Sequence, residues 1–229
     1  MRDEDFDDIL NQAAGTRPEL DPALLARLSQ SVSTNLQPVR QLPSPWILGS
    51  ALTLLCAVAA GGGGLLLGPH GVHAMAASQL VLILAVLVIL VGLAAWLAVA
   101  EVIPGSRLPA APSRLIFTHC IALGAVFALL FHSYGTARYV IEGIKCLVAG
   151  VAIAVPSAAG VLWILRRGAF LDRTAAGISV GTLAGLVGIG MLELHCPNLE
   201  LPHMVVWHIA VVPLCGIAAG YLMRKMGSF

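Results

Sequence analysis

QLPSPWILGSALTLLCAVAAGGGGLLLGPHGVHAMAASQLVLILAVLVILVGLAAWLAVA, residues 41–100, runs sixty residues without one Asp, Glu, Lys or Arg. About 20 apolar residues in a helix cross the hydrocarbon core of a bilayer, so the stretch holds two spans joined by a tight turn. Gly61 to Gly64 and then Gly68-Pro69-His70-Gly71 mark that turn, because glycine and proline break helices and glycine accepts unusual backbone angles. Four more charge-free stretches follow: Leu115 to Ala137, Cys146 to Leu165, Thr174 to Leu192 and Leu201 to Met223. The fold class expected is therefore all-α, a polytopic membrane protein with six transmembrane helices. The spans lie at about 46–67, 77–100, 115–134, 146–165, 174–192 and 203–223, behind a tail of residues 1–45.

Composition agrees. Of the 229 residues 58% are hydrophobic and 11% charged, and the mean hydropathy is +0.89, too few charges to clothe a water-exposed surface. Thirteen Lys and Arg against 12 Asp and Glu give no nucleic-acid-binding bias, and no direct contact with nucleic acid is expected. The first span begins near Trp46 behind a charged stretch of 45 residues, unlike a cleaved signal peptide.

Basic residues sort by side. Arg2, Arg17, Arg27, Arg40, Arg107, Arg114, Arg166, Arg167, Arg173, Arg224 and Lys225 fall in the tail, the second and fourth loops and the C-terminus, whereas the opposite side has Arg138 and Lys145. Positive residues stay inside, so both termini are expected in the cytoplasm. Trp46, Trp96, Trp163 and Trp207 lie toward span ends, where indoles favour the interface. Gly177, Gly181, Gly185 and Gly188 recur at helical spacing on the fifth span and read as a packing seam inside the bundle, with a homo-oligomer face as the alternative. The spans carry no charge at depth, which weakens a transport reading.

The tail has seven acidic residues against four basic and two short amphipathic patterns. Phe6, Ile9, Leu10 and Ala13 share one face behind Asp3-Glu4-Asp5, whose charges suit a helix N-terminus. Asp21-Pro22, a cap followed by proline at the first helical position, opens a second helix presenting Leu24, Leu25, Leu28 and Val32. Apolar stripes on helices too short to form a core fit a groove on a protein partner, while the acidic bias is wrong for an anionic bilayer.

Five cysteines divide three to two. Cys56, Cys120 and Cys215 fall within spans and read as small apolar packing groups. Cys146, at the outer start of the fourth span, and Cys196, in the fifth loop, face the outside, where a structural disulfide, a reversible sensor and two unpaired thiols are all open. His70, His73, His132, His195, His203 and His208 belong to the same face. With Glu193, the residues His195, Cys196 and His203 offer donors for a thiophilic metal ion, though in no closed-site motif. No HExxH or phosphate-loop pattern occurs, and enzymatic activity is not expected.

Several pieces together point further. Pro38-Val39-Arg40-Gln41-Leu42-Pro43-Ser44-Pro45, Lys145-Cys146, Leu165-Arg166-Arg167-Gly168, Leu194-His195-Cys196-Pro197 and Trp207-His208 resemble the negative-regulator-of-sigma-F (NrsF-like) family of membrane anti-sigma factors, from residue 38 to the C-terminus. The resemblance implies a bacterial inner-membrane protein whose cytoplasmic tail withholds an extracytoplasmic-function sigma factor from RNA polymerase. It also implies that Cys146 and Cys196 change redox or metal-bound state under stress and release that factor. The tail departs from the family in being longer and more acidic. Coupling would run from the cysteine pair through spans four to six and the first hairpin to Arg40 and the tail helices. The competing reading is a small transporter or metal-handling protein built on the outer His/Cys cluster.

Overall fold

Ser44 and Pro45 start the first long helix for local reasons: the Ser44 hydroxyl accepts the Ile47 N–H at 3.4 Å, and proline sits in the first turn, where its missing N–H costs nothing. The computed structural model describes residues 21–35, 42–103, 105–106, 111–135 and 139–226, in two units, Met1–Gln41 and Leu42–Phe229. The described part of the first unit holds α1 (Pro22–Asn35). The second holds α2 (Pro45–Leu67), α3 (His70–Ala74), α4 (Ala77–Ala100), α5 (Pro112–Leu130), α6 (Tyr139–Leu165), α7 (Arg173–His195) and α8 (Leu201–Met226). No strand occurs among the described residues, where the isolated bridge between Ser133 and Glu200 is the extended pairing present.

Six of these helices, α2 and α4 to α8, are long and apolar enough to cross a membrane. Five differ little from their expected positions. The exception is α6, which begins at Tyr139 rather than near residue 146 and so takes Glu142, Lys145 and two helical turns ahead of Cys146 into the helix. Hydropathy marks the apolar segment, whereas backbone hydrogen bonding sets the helix end. α5 is displaced toward the N-terminus and stops at Leu130, and the Leu201 N–H then reaches the Ser133 carbonyl at 2.7 Å.

The expected turn at Gly61 to Gly64 is instead helix, and the chain reverses at Gly68, whose φ is +94°. Away from water every backbone group must be satisfied within the segment, so a glycine run inside a span stays helical. What the glycines supply is close approach. A Cβ at Gly63 would lie 2.9 Å from Met191 Cγ, and one at Gly64 2.8 Å from Leu194 Cβ.

α7 is the axis of the bundle, with 83% of an apolar 18-residue stretch buried against 22–39% for the other five long helices. Its small residues explain why. Added Cβ atoms at Gly177 and Gly185 would stand 2.6 Å from the Ala219 carbonyl and 2.7 Å from Val212 Cα of α8, and one at Gly188 would stand 2.6 Å from the Gly150 carbonyl of α6. The glycine stripe is thus a seam inside the bundle. At one end of the axis Asp172 caps α7 by accepting the Ala175 N–H at 3.0 Å, and Arg173 donates to the Met226 carbonyl at 3.3 Å. At the other end, α7 stops before Pro197 with the Cys196 N–H donated to Leu192 at 2.7 Å.

Candidate functional site

The cysteine end of α7 gathers side chains from three spans. Cys146 comes from the third turn of α6, Glu193 from the last turn of α7, Cys196 from its C-cap, and His203 and His208 from the start of α8. One donor atom from each of Cys146, Cys196, His203 and His208 lies within 4.8 Å of the other three. The two sulfurs are 3.4 Å apart, and Cys196 Sγ is 3.5 Å from His203 Nε2. The imidazoles meet edge to face with centroids 5.2 Å apart.

A distortion of α8 makes this meeting possible. In a regular α-helix residues five apart point roughly 140° from one another, so His203 and His208 would not share a face. The segment Met204–His208 is a π-turn, whose wider winding narrows that angle. Pro213 lies just beyond. It offers no N–H to the Ile209 carbonyl, which takes the Val212 N–H at 3.1 Å, and the helix re-registers ahead of it.

Burial then defines the electrostatics. Glu193, His203 and His208 are each 0% exposed, and Glu193 Oε1 lies 2.7 Å from His208 Nδ1. This contact leaves the other ring nitrogen, Nε2, as an acceptor when the ring is neutral. His208 Nε2, His203 Nδ1 and Glu193 Oε2 have no hydrogen-bond partner among the described residues. The Cys196 thiol is pushed up from its usual range, first by the Cys146 sulfur and then by burial, with the imidazoles of His203 and His208 opposing. Asn198 donates to Glu142 Oε2 at 3.0 Å, which ties the loop carrying Cys196 to the first turn of α6.

The expected site residues divide accordingly. Cys146 and Cys196 do come together, as free thiols, and His203 joins them. His195 does not. Its Nδ1 lies 2.9 Å from the Gly68 carbonyl and its ring sits tilted against His70 with centroids 5.8 Å apart, so it closes the reversal between α2 and α3. Next to it, a Cβ at Gly71 would meet the Glu193 and Cys196 carbonyls at 2.5 and 2.9 Å, so α3 seats tightly on the end of α7. His208 was missing from the expected donor set because its spacing of five from His203 fits no ordinary helix face. The one visible hint was Pro213.

In the other unit, Asp21 Oδ1 accepts the Ala23 N–H at 2.9 Å, the cap expected before Pro22. Leu24, Leu25 and Leu28 are 46%, 48% and 51% exposed. Phe6, Ile9 and Leu10 lie outside the described residues.

No curated protein and no solved structure matches this chain. Residues 32–226 match the family model of NrsF, negative regulator of sigma F, and with most of its length covered the chain belongs to that family.

Proposed function

We propose that this protein is a membrane-bound anti-sigma factor of the bacterial inner membrane, with both termini in the cytoplasm, that holds an extracytoplasmic-function sigma factor through its N-terminal tail. The family carries the regulatory half of this reading. The tail is assigned the grip because α1 leaves three leucines at i, i+1 and i+4 half uncovered, the pattern by which an amphipathic helix enters a partner's groove. Orientation follows from charge: Arg114, Arg166, Arg167, Arg173, Arg224 and Lys225 belong to one end of the bundle and the Cys/His group to the other.

The Cys146/Cys196 pair is then the signal-receiving group on the extracytoplasmic face, where redox or metal stress would reach it. Its link to the tail runs through α7. The thiols sit on α6 and on the C-cap of α7, and α7 abuts α2 at Gly63 and Gly64, where a small displacement must be shared because no slack separates the helices. α2 begins at Pro45, immediately after the tail. A transporter or metal-handling protein could use the same donor group, but it would give metal flux in place of sigma-factor retention.

The test is transcription of a sigma-dependent reporter in cells lacking the chromosomal copy. Supplying the full chain should repress it, and supplying residues 42–229 should not, with both proteins present in the membrane fraction. Repression by residues 42–229 alone would remove the grip from the tail.

A further inference from the structure

We propose that Cys146, Cys196, His203 and His208 are the four ligands of a tetrahedral site for a thiophilic divalent ion of the zinc type, with Glu193 as a positioning residue. This deepens the function proposed above, on which only the site's regulatory consequence rests. The donor distances fit. Metal–sulfur and metal–nitrogen bonds of about 2.3 and 2.0 Å in a tetrahedron set two sulfurs roughly 3.8 Å apart and a sulfur and a nitrogen roughly 3.5 Å apart; Cys196–His203 is already at 3.5 Å, and Cys146–Cys196, at 3.4 Å, need open by only a few tenths of an ångström. All four donors already lie within 4.8 Å of one another.

The choice between an ion and a disulfide is decided by the histidines. A bond between the two sulfurs would leave buried His208 Nε2 without a partner and take the Cys196 thiol proton from His203 Nε2. Burying such groups is costly unless each has a partner. An ion uses them. His208 Nε2 lacks a partner among the described residues, and Nδ1 of the same ring meets Glu193 Oε1 at 2.7 Å. That carboxylate–histidine pair is the arrangement that fixes the tautomer and aim of a metal-bound imidazole. The π-turn at Met204–His208 brings the second histidine onto the face of the first.

Two sulfurs and two imidazoles select soft, tetrahedral ions over magnesium or calcium. On binding, each thiol gives up its proton to solvent and binds as thiolate, while the imidazoles bind neutral, so one ion displaces two protons. Four protein donors leave no open coordination position, which makes the site structural or regulatory, not catalytic. An ion there would tie α6, the end of α7 and the start of α8 into one unit.

The experiment uses the full chain purified in detergent, reduced and stripped with chelator. Cobalt(II) should bind at one equivalent, with the intense visible bands of a tetrahedral thiolate complex, and zinc should bleach them. X-ray absorption of the zinc-loaded wild-type chain should show two sulfur and two nitrogen neighbours, a readout that requires no variant to fold. Glu193→Gln should keep the stoichiometry and bands while weakening zinc about 10- to 100-fold. His195→Ala should leave both unchanged, and His208→Ala should lose the tetrahedral spectrum. Absence of stoichiometric metal, or a shell of sulfur without nitrogen, would overturn the ligand set. Sigma-factor retention is measured on the same preparations. Metal bound with no retention would contradict the anti-sigma reading alone, and retention with no metal the ligand set alone.

Discussion

α7 and α1 are both helices of this chain, and they meet their surroundings in opposite ways. In α7 the surface is used up: 83% of an apolar 18-residue stretch is buried, and its glycines bring the α6 and α8 backbones within reach. In α1 every side chain that the structure describes is exposed, leucines included. Hydropathy does not explain the difference within the bundle, because α5 matches α7 at 1.8 and is only 22% buried. Size does. Gly, Ala, Ser and Thr along α7 admit neighbours on all sides, whereas the larger side chains of α5 hold them off and leave much of that helix exposed. The lesson is that α7 is satisfied by neighbours within the bundle, while the leucines of α1 are left uncovered among the described residues.

The largest expected effect tests the second half of that statement. Charging the stripe with Leu24→Asp, Leu25→Asp and Leu28→Asp should weaken sigma-factor binding about a thousandfold, since burying each leucine is worth about 1.5–3 kcal/mol. Titration of the labelled factor against detergent-solubilised chain measures it. Helix content and thermal unfolding of the bundle should not change.

Next comes the polar end of α7. In metal-free protein, His208→Phe should cost about 3–5 kcal/mol, because it strands the Glu193 carboxylate in a dry site. Adding Glu193→Leu should recover part of that loss, and denaturant unfolding of the four proteins gives the coupling. Equal costs for the single and double variants would show that Glu193 and His208 are not coupled. Further down the same helix, Gly185→Leu should cost about 1–3 kcal/mol by overpacking against α8, read as a fall in Tm. The smallest effect contrasts two neighbours on α2. Gly63 touches Met191, whereas a Cβ at Gly62 would meet no described atom within 4 Å. Gly62→Ala should therefore raise stability by about 0.5–1 kcal/mol, the helix-interior cost of glycine, and Gly63→Ala should lower it.

Much of the frame was legible in sequence because it rests on one-dimensional quantities. Charge-free length located six spans, and Asp21-Pro22 located the start of α1. The Cys146–Cys196 encounter was visible as two thiols assigned to one face. What escaped depends on three-dimensional packing. Gly61 to Gly64 read as a turn because glycine breaks helices in water, but beside α7 it serves approach. His195 read as a donor by its place next to Cys196, yet the final turn of α7 aims it at Gly68. His208 was hidden by a local change of helix pitch that no periodicity records.

The central claim is that the bundle anchors and the tail grips, and co-purification tests it most directly. The full chain and a chain of residues 42–229 are each co-expressed with the sigma factor, extracted from membranes in equal amount and captured by a C-terminal tag. The account expects the sigma factor with the full chain and none above background with residues 42–229. Equal recovery with both would contradict it.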